Sequence, residues 1–296
     1  MLDLIMILGP TAVGKSDLSI ALAKTFDGEI INGDAMQFYQ GLDIGTAKVS
    51  LEEQKEVKHH LLDILTLEDK FSVSLYQKMV RDKITEIKNK NKLPIIVGGS
   101  GLYLNAIISD YKFLGKEREE ITESKYQDLS VEELADVLKK KSPKLALKTD
   151  LSNRRRVMRA LEKSDEDIQE NLNKFYHNAL IIGLEMNRDL LYQRINQRTD
   201  RMIENGLIEE AKNLYDKNID SQAFQAIGYK ELFKYFANEI SKDQAIDLIK
   251  RNSRRYAKRQ MTWFKNKMEV NWFKVDPNDF SKTIKDVKKM IKKEVE

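Results

Sequence analysis

The chain has 296 residues, 41% hydrophobic and 33% charged, which is ample for one large or two modest cores and excludes a disordered or fibrous polypeptide. With no cysteine and three histidines it has no disulfide framework and no thiolate zinc site, and a reducing cytoplasm is the expected setting. A net charge of +4 is too small for the whole molecule to act as a polycation, so any nucleic-acid affinity has to reside in local clusters.

Residues 2–8 form an apolar run that stops at Gly9. It is too short for a membrane span and lacks the basic flank of a signal peptide, so a strand is expected there and no membrane partner. Leu18, Ala21, Leu22 and Phe26 then recur at helical spacing. A second short run at 29–32 and a third at 93–97, ending in Gly98 and Gly99, read as strands, with a helix over 74–90 between them. Strands alternating with helices predict parallel pairing, hence an α/β fold with a parallel sheet flanked by helices, which the G-x-x-x-x-G-K-[ST] loop at Gly9 to Ser16 makes P-loop NTPase-like. After Ala106 the strand signal stops. Residues 111–128 are polar, Ser130 with Glu133 forms a capping box opening a helix, Pro143 lies beyond its end, and a second helix is expected over 153–163. Residues 179–184 read as another buried strand, and from Asp189 onward the pattern is helical apart from a strand-like 270–275. Ile284, Val287 and Ile291 mark a surface helix at the C-terminus. The expected organisation is a discontinuous α/β core, 1–110 with 178–296, interrupted by a smaller all-helical insertion at 111–177.

Gly9-Pro10-Thr11-Ala12-Val13-Gly14-Lys15-Ser16 fits the pattern G-x-x-x-x-G-K-[ST] between a strand and a helix. Glycines let backbone amides turn toward phosphate oxygens, the helix N-terminus adds partial positive charge, Lys15 adds a full one, and Ser16 can ligate Mg²⁺. By itself this cradle suits a nucleotide kinase or NTPase equally well.

Two basic clusters stand out. Arg251, Arg254, Arg255, Lys258, Arg259 and Lys265 cover one side of a helix, opposite a stripe of Ile246, Ile249, Ser253, Ala257, Met261 and Phe264. Arg154, Arg155, Arg156 and Arg159 form the second, on the insertion. Acidic partners are nearly absent between Lys250 and Lys267, so phosphate contact is preferred over a solvated face. His59 and His60 point in different directions and are read as structural, not as metal ligands.

Further blocks follow the P-loop in order: Gly33-Asp34-Ala35-Met36-Gln37-Phe38-Tyr39, Gly41-Leu42-Asp43-Ile44-Gly45-Thr46-Ala47-Lys48, and His59-His60-Leu61-Leu62-Asp63-Ile64. Then come Gly98-Gly99-Ser100-Gly101-Leu102-Tyr103, Arg159-Ala160-Leu161-Glu162, Gln225-Ala226-Ile227-Gly228-Tyr229-Lys230 and Lys258-Arg259-Gln260-Met261-Thr262-Trp263-Phe264. In this series the chain resembles the tRNA dimethylallyltransferase (isopentenyltransferase) family. It departs at Ala35, where the family usually has serine, and at Ser100, where it usually has threonine; 112–148 match no family block.

The resemblance implies dimethylallyl pyrophosphate as donor and N6 of the anticodon-adjacent adenine of tRNA, position 37, as acceptor. It implies that Gly9, Pro10, Thr11, Ala12, Val13, Gly14, Lys15 and Ser16, with Arg194 and Arg198 four apart on one helix face, hold the pyrophosphate, with Mg²⁺ at Ser16. A solvated basic helix face is an equally consistent reading of that arginine pair. Asp34 would be the general base, with Lys15, Thr11 and Arg198 also in catalysis, although an aspartate after a strand is otherwise most often a turn residue. Contacts to tRNA would come from Asp34, Ala35, Met36, Gln37, Ser100, Arg155, Arg156, Arg159, Gln225, Gly228, Tyr229, Lys230, Lys258, Arg259, Gln260, Trp263 and Lys265. A monomer is expected. An adenylate isopentenyltransferase acting on a nucleotide and a small-molecule P-loop kinase are the alternatives; the basic clusters argue against the first and the ordered series of blocks against the second.

Overall fold

The computed structural model describes residues 2–110, 124–164 and 174–295. Among these, six strands form one parallel sheet: β1 (Leu4–Leu8), β2 (Gly28–Asn32), β3 (His59–His60), β4 (Leu93–Gly98), β5 (Ala179–Glu185) and β6 (Asn271–Lys274). Their order is β3-β2-β4-β1-β5-β6, with Ile7 of β1 opposite Val97 on one side and Ile182 on the other. The apolar run at the start of the chain is continuous because both faces of β1 are covered. Leu4, Met6 and Leu8 enter one core with Ile31 and Ile96, and Ile5 and Ile7 enter the other with Ile30, Ile95 and Ile182.

The helices are α1 (Lys15–Thr25), α2 (Leu51–Glu56), α3 (Val73–Asn89), α4 (Gly101–Ile108), α5 (Val131–Lys141), α6 (Pro143–Ala146), α7 (Arg154–Ser164), α8 (Arg188–Glu204), α9 (Leu207–Tyr215), α10 (Tyr229–Phe236), α11 (Lys242–Lys267) and α12 (Phe280–Val295). None of them is long and apolar enough to cross a membrane. The expected strands and long helices are present with ends within a residue or two. Elements without a sequence forecast are α2, β3, α4 and α6, between two and eight residues long and so too short to show periodicity. Pro143 does not merely follow a helix; it opens α6 at the first-turn position where its missing N–H costs nothing. The C-terminal helix contributes to the core, since Val287 and Ile291 are fully buried on the sheet face that α1 also covers.

The chain divides into two compact units, Met1–Ile108 with Lys174–Glu296, and Ser109–Asn173. Within the second, α5 begins at a reciprocal cap in which Ser130 and Glu133 each accept the other's backbone N–H. Leu134, Leu138, Val157 and Leu161 of α5 and α7 make its small core. Arg154 belongs to that architecture, its guanidinium donating to the carbonyls of Tyr126 and Gln127 at 3.0 Å and to that of Leu129. Residues 111–123 and 165–173 of the expected insertion lie outside the described residues.

In the first unit, three neighbours in the sheet, β2, β4 and β1, end at the same edge. They deliver Asp34, Ser100 and the P-loop respectively to the carboxyl ends of the strands, where open parallel sheets bind their ligands.

Candidate active site

The loop after β1 has the backbone that its glycines predict. Gly9 has φ +148 and a Cβ there would stand 2.6 Å from the Leu184 carbonyl oxygen; Gly14 has φ +105 and lies under the Phe280 ring. Ala12 also has positive φ, 65°, an uncommon conformation for a side-chain-bearing residue and a local strain of the kind that clusters at ligand clamps. Lys15 curls back over the loop, Nζ donating to the carbonyls of Gly9 at 3.0 Å and Pro10 at 2.8 Å. Burial first, and the neighbouring Arg198 guanidinium second, lower its ammonium from 10.5 to about 7, against the pull of Asp34.

Asp34 is a turn residue whose carboxyl also lines the cleft. Its backbone N–H donates to Asn32 Oδ1 at 2.9 Å and its own Oδ1 accepts from the Met36 N–H at 3.0 Å, which is turn chemistry. Asn32 Nδ2 braces the turn by donating to the carbonyls of Asp34 and Leu61, both at 3.0 Å. The carboxyl nevertheless lines the cleft beside Lys15 and Arg198. Desolvation raises its pKa above the ordinary value, opposed in turn by the Met36 N–H, Lys15 and Arg198. A carboxylate of raised basicity between two cations can accept a proton and is still held in place by charge.

One face of α8 closes the cleft over the P-loop. Arg194 Nε donates to the Ala12 carbonyl at 3.0 Å, and Arg198, one turn on, faces Asp34 with its charge disfavoured by burial and supported by that carboxylate. Arg201 lies on the same face. From α11 come Tyr256 and Gln260. The Tyr256 hydroxyl is pushed up to about 12 by desolvation and by Asp34, with Ser100 and Gln260 as its hydrogen-bonding neighbours. Gln260 Oε1 accepts from the Thr11 N–H and its Nε2 donates to the Gly99 carbonyl, each at 3.0 Å.

The cleft so formed has a volume of about 620 Å³, within the range of small-ligand sites. Residues Thr11 to Ser16, Asp34 to Gln37, Ser100, Arg194, Arg198, Gln225, Gly228, Lys230, Arg259 and Gln260 line it together. Gly9 and Pro10 are buried behind the loop. Tyr229 is fully buried outside the cleft wall, its hydroxyl donating to Glu210 Oε1 at 2.7 Å. Trp263 packs on Gly101 and edge-on to Phe264, and Lys265 pairs with Glu185 at 2.8 Å. Lys258 is exposed on the outer face of α11, and Arg155, Arg156 and Arg159 are exposed on α7 of the second unit. Arg156 also meets Asp150 at 2.9 Å.

Sequence reasoning missed several lining residues. Thr46, Ala47 and Lys48 close a block quoted above to which no role was given, Val49 follows them, and Tyr256 and Arg201 follow their cleft-facing neighbours at helical spacing. Glu210 of α9 holds that block in place, its carboxylate accepting from the N–H groups of Asp43, Ile44 and Gly45 at 3.0, 2.8 and 3.0 Å. No cluster of three or more His, Cys, Asp or Glu suited to a metal occurs among the described residues. His60 pairs with buried Glu29 across β2 and β3 at 2.6 Å, and His59 Nδ1 meets the Val57 carbonyl at 2.8 Å.

The sequence pattern of the IPP transferase family matches residues 37–267. The chain is 48% identical over 285 residues to the tRNA dimethylallyltransferase of Bacillus subtilis, covering 92% of this chain and 91% of that one. It is 46% identical over 302 residues to the tRNA dimethylallyltransferase of Halalkalibacterium halodurans, covering 97% and 96%. Among solved structures, the tRNA isopentenylpyrophosphate transferase of Bacillus halodurans superposes with a TM-score of 0.76 at 46% identity, covering 98% of this chain and 96% of that one. A eukaryotic dimethylallyltransferase acting on tRNA superposes with a TM-score of 0.78 at 28% identity, covering 92% and 73%. With a P-loop and a strand-end aspartate meeting in one cleft, and with relatives matching along almost its whole length, the chain belongs to the IPP transferase family of tRNA dimethylallyltransferases.

Proposed function

We propose that the cleft binds dimethylallyl pyrophosphate with its diphosphate in the P-loop, and that Asp34 takes a proton from N6 of the adenine at position 37 of tRNA as that nitrogen attacks the allylic carbon. The carbon–oxygen bond breaks with its electron pair leaving on the diphosphate. The carbon–nitrogen bond forms from the N6 lone pair, and the N6 proton passes to Asp34. The observation behind this reading is the convergence of Lys15, Arg198 and Asp34 in one cleft: two cations for the departing charge and a carboxylate of raised basicity for the proton.

The delocalised amino group of adenine is a poor nucleophile, so proton removal has to accompany attack. As charge grows on the diphosphate, the loop amides, Lys15, Arg194 and Arg198 stabilise it; losing one such donor costs about 3 to 4 kcal/mol. Met202, Leu207, Ile227 and Ile249 line the same cleft and offer an apolar wall to a five-carbon tail. The donor set fits Mg²⁺, which keeps most of its waters and takes one or two protein oxygens beside phosphate; Ser16, opening α1 at the cradle, is such an oxygen. When bound, the ion neutralises charge on the leaving group.

For RNA, the exposed Arg255, Lys258 and Arg259 of α11 supply backbone contacts, with Arg259 reaching the cleft wall. Arg155, Arg156 and Arg159 give the second unit a basic face of its own, which supports a division into a catalytic core of 1–110 and 178–296 and a tRNA-binding insertion of 111–177. The target base is reached by turning it out of the anticodon loop. The reading makes the enzyme a cytoplasmic monomer, in the compartment of its tRNA.

Labelled dimethylallyl pyrophosphate offered with bulk tRNA, and separately with adenosine monophosphate, tests the assignment. Label is expected on position 37 of tRNA. Label on the nucleotide alone, or on neither, would overturn it.

A further inference from the structure

We propose that Gln260 is a positioning residue for the donor cradle, its carboxamide locking the P-loop to the Gly98-Gly99 turn and to the RNA-facing helix and thereby setting the affinity for diphosphate. This rests on the assignment of the P-loop as the diphosphate site.

Gln260 is polar yet only 5% exposed, and both ends of its carboxamide are used. Oε1 accepts from the N–H of Thr11, 249 residues away, and Nε2 donates to the carbonyl of Gly99, 161 residues away. The second contact explains a glycine, since a Cβ at Gly99 would stand 2.1 Å from Nε2. The side chain therefore ties the loop after β1 to the loop after β4 from a third element, α11. Pro10 has no N–H and the Thr11 N–H is engaged by Gln260, so the cradle's donors begin further along the loop, with Lys15 closing back on the Gly9 and Pro10 carbonyls. Removing the carboxamide strands a part-buried N–H and leaves the loop's entry without an anchor, and the loop re-forms at the expense of its ligand geometry.

Two residues beside it on the same helix also face the cleft. Arg259, the preceding residue, lines the cleft and lies over the Tyr256 ring at 5.7 Å, and Tyr256, one turn back, neighbours Ser100 and Asp34. One turn of α11 thus presents cations outward and a loop anchor inward.

Gln260→Met, similar in size but without either hydrogen bond, is the test, with inorganic pyrophosphate and tRNA as separate probes by calorimetry. Pyrophosphate Kd is expected to rise about fivefold to tenfold, while tRNA Kd stays within about twofold. A residue that only filled space would lower the melting temperature and leave both affinities of the folded protein alone. Unchanged pyrophosphate binding in folded Gln260→Met, or an equal loss for both ligands, would overturn the proposal. Should that variant not fold, Gly99→Ala decides by the same two affinities, because it displaces the carboxamide without removing it. Neither measurement needs prenyl transfer, and a wild-type chain that bound no pyrophosphate would sink the cradle assignment instead.

Discussion

Lys15→Arg isolates one strongly perturbed charge in the cleft. Burial and Arg198 bring the Lys15 ammonium from 10.5 down to about 7. At pH 8 only about one tenth of the chains then have it charged, and at pH 6 about nine tenths do. A bound diphosphate restores full charge, so binding takes up about 0.9 proton at pH 8 and about 0.1 at pH 6. The sign follows: the cation is needed in the complex and is lost from the unliganded side chain as pH rises through 7, so affinity weakens upward. Between pH 7 and pH 9 the loss is about 50-fold, roughly 2.3 kcal/mol. The assay is titration calorimetry of inorganic pyrophosphate in two buffers of different ionisation enthalpy. Arginine does not deprotonate in this range, and pyrophosphate's own titration is common to both proteins, so the difference between them is the lysine. Equal proton uptake by wild type and variant at pH 8 would refute the reasoning.

Asp34→Asn is expected to slow single-turnover transfer by about 10² to 10⁴ with tRNA affinity retained, and the wild-type rate should fall on the acid side with a midpoint above 3.8, because the base acts deprotonated and burial raises its pKa. A midpoint at or below that value removes Asp34 from the role. Gly9→Ala should destabilise the fold by about 2 kcal/mol or more in urea, since neither φ +148 nor the Leu184 carbonyl at 2.6 Å can give way cheaply. Replacing Arg255, Lys258 and Arg259 together by alanine should reduce the slope of log affinity for tRNA against log salt by about 2, whereas Lys288→Ala with Lys289→Ala on α12 should leave it alone. Equal slopes for the two sets would place the RNA elsewhere.

Much of the fold was legible along the chain because its signals are local. A strand covered on both faces is a continuous apolar run, a P-loop has its glycines at fixed spacing, and Ser130 with Glu133 announces a helix within four residues. The helix at Leu51–Glu56 was equally readable from its cap, Ser50 with Glu53, though not from periodicity. The order of blocks along the chain pointed to the family, and β2, β4 and β1 then brought Asp34, Ser100 and the P-loop to one sheet edge.

What tertiary structure alone decided are the partners of polar groups. Nothing near Gln260 in sequence distinguishes a carboxamide aimed at RNA from one buried between two loops; the choice is made by Thr11 and Gly99, far away along the chain. Glu210 looks like a solvated helix residue until the fold lays three amides against it, and Tyr229, expected at RNA, is instead buried on the same carboxylate. The charges of Lys15 and Asp34 were likewise unreadable, because desolvation is a property of everything packed around a group. Periodicity records which way a side chain faces its own element, and only the folded chain determines what stands opposite.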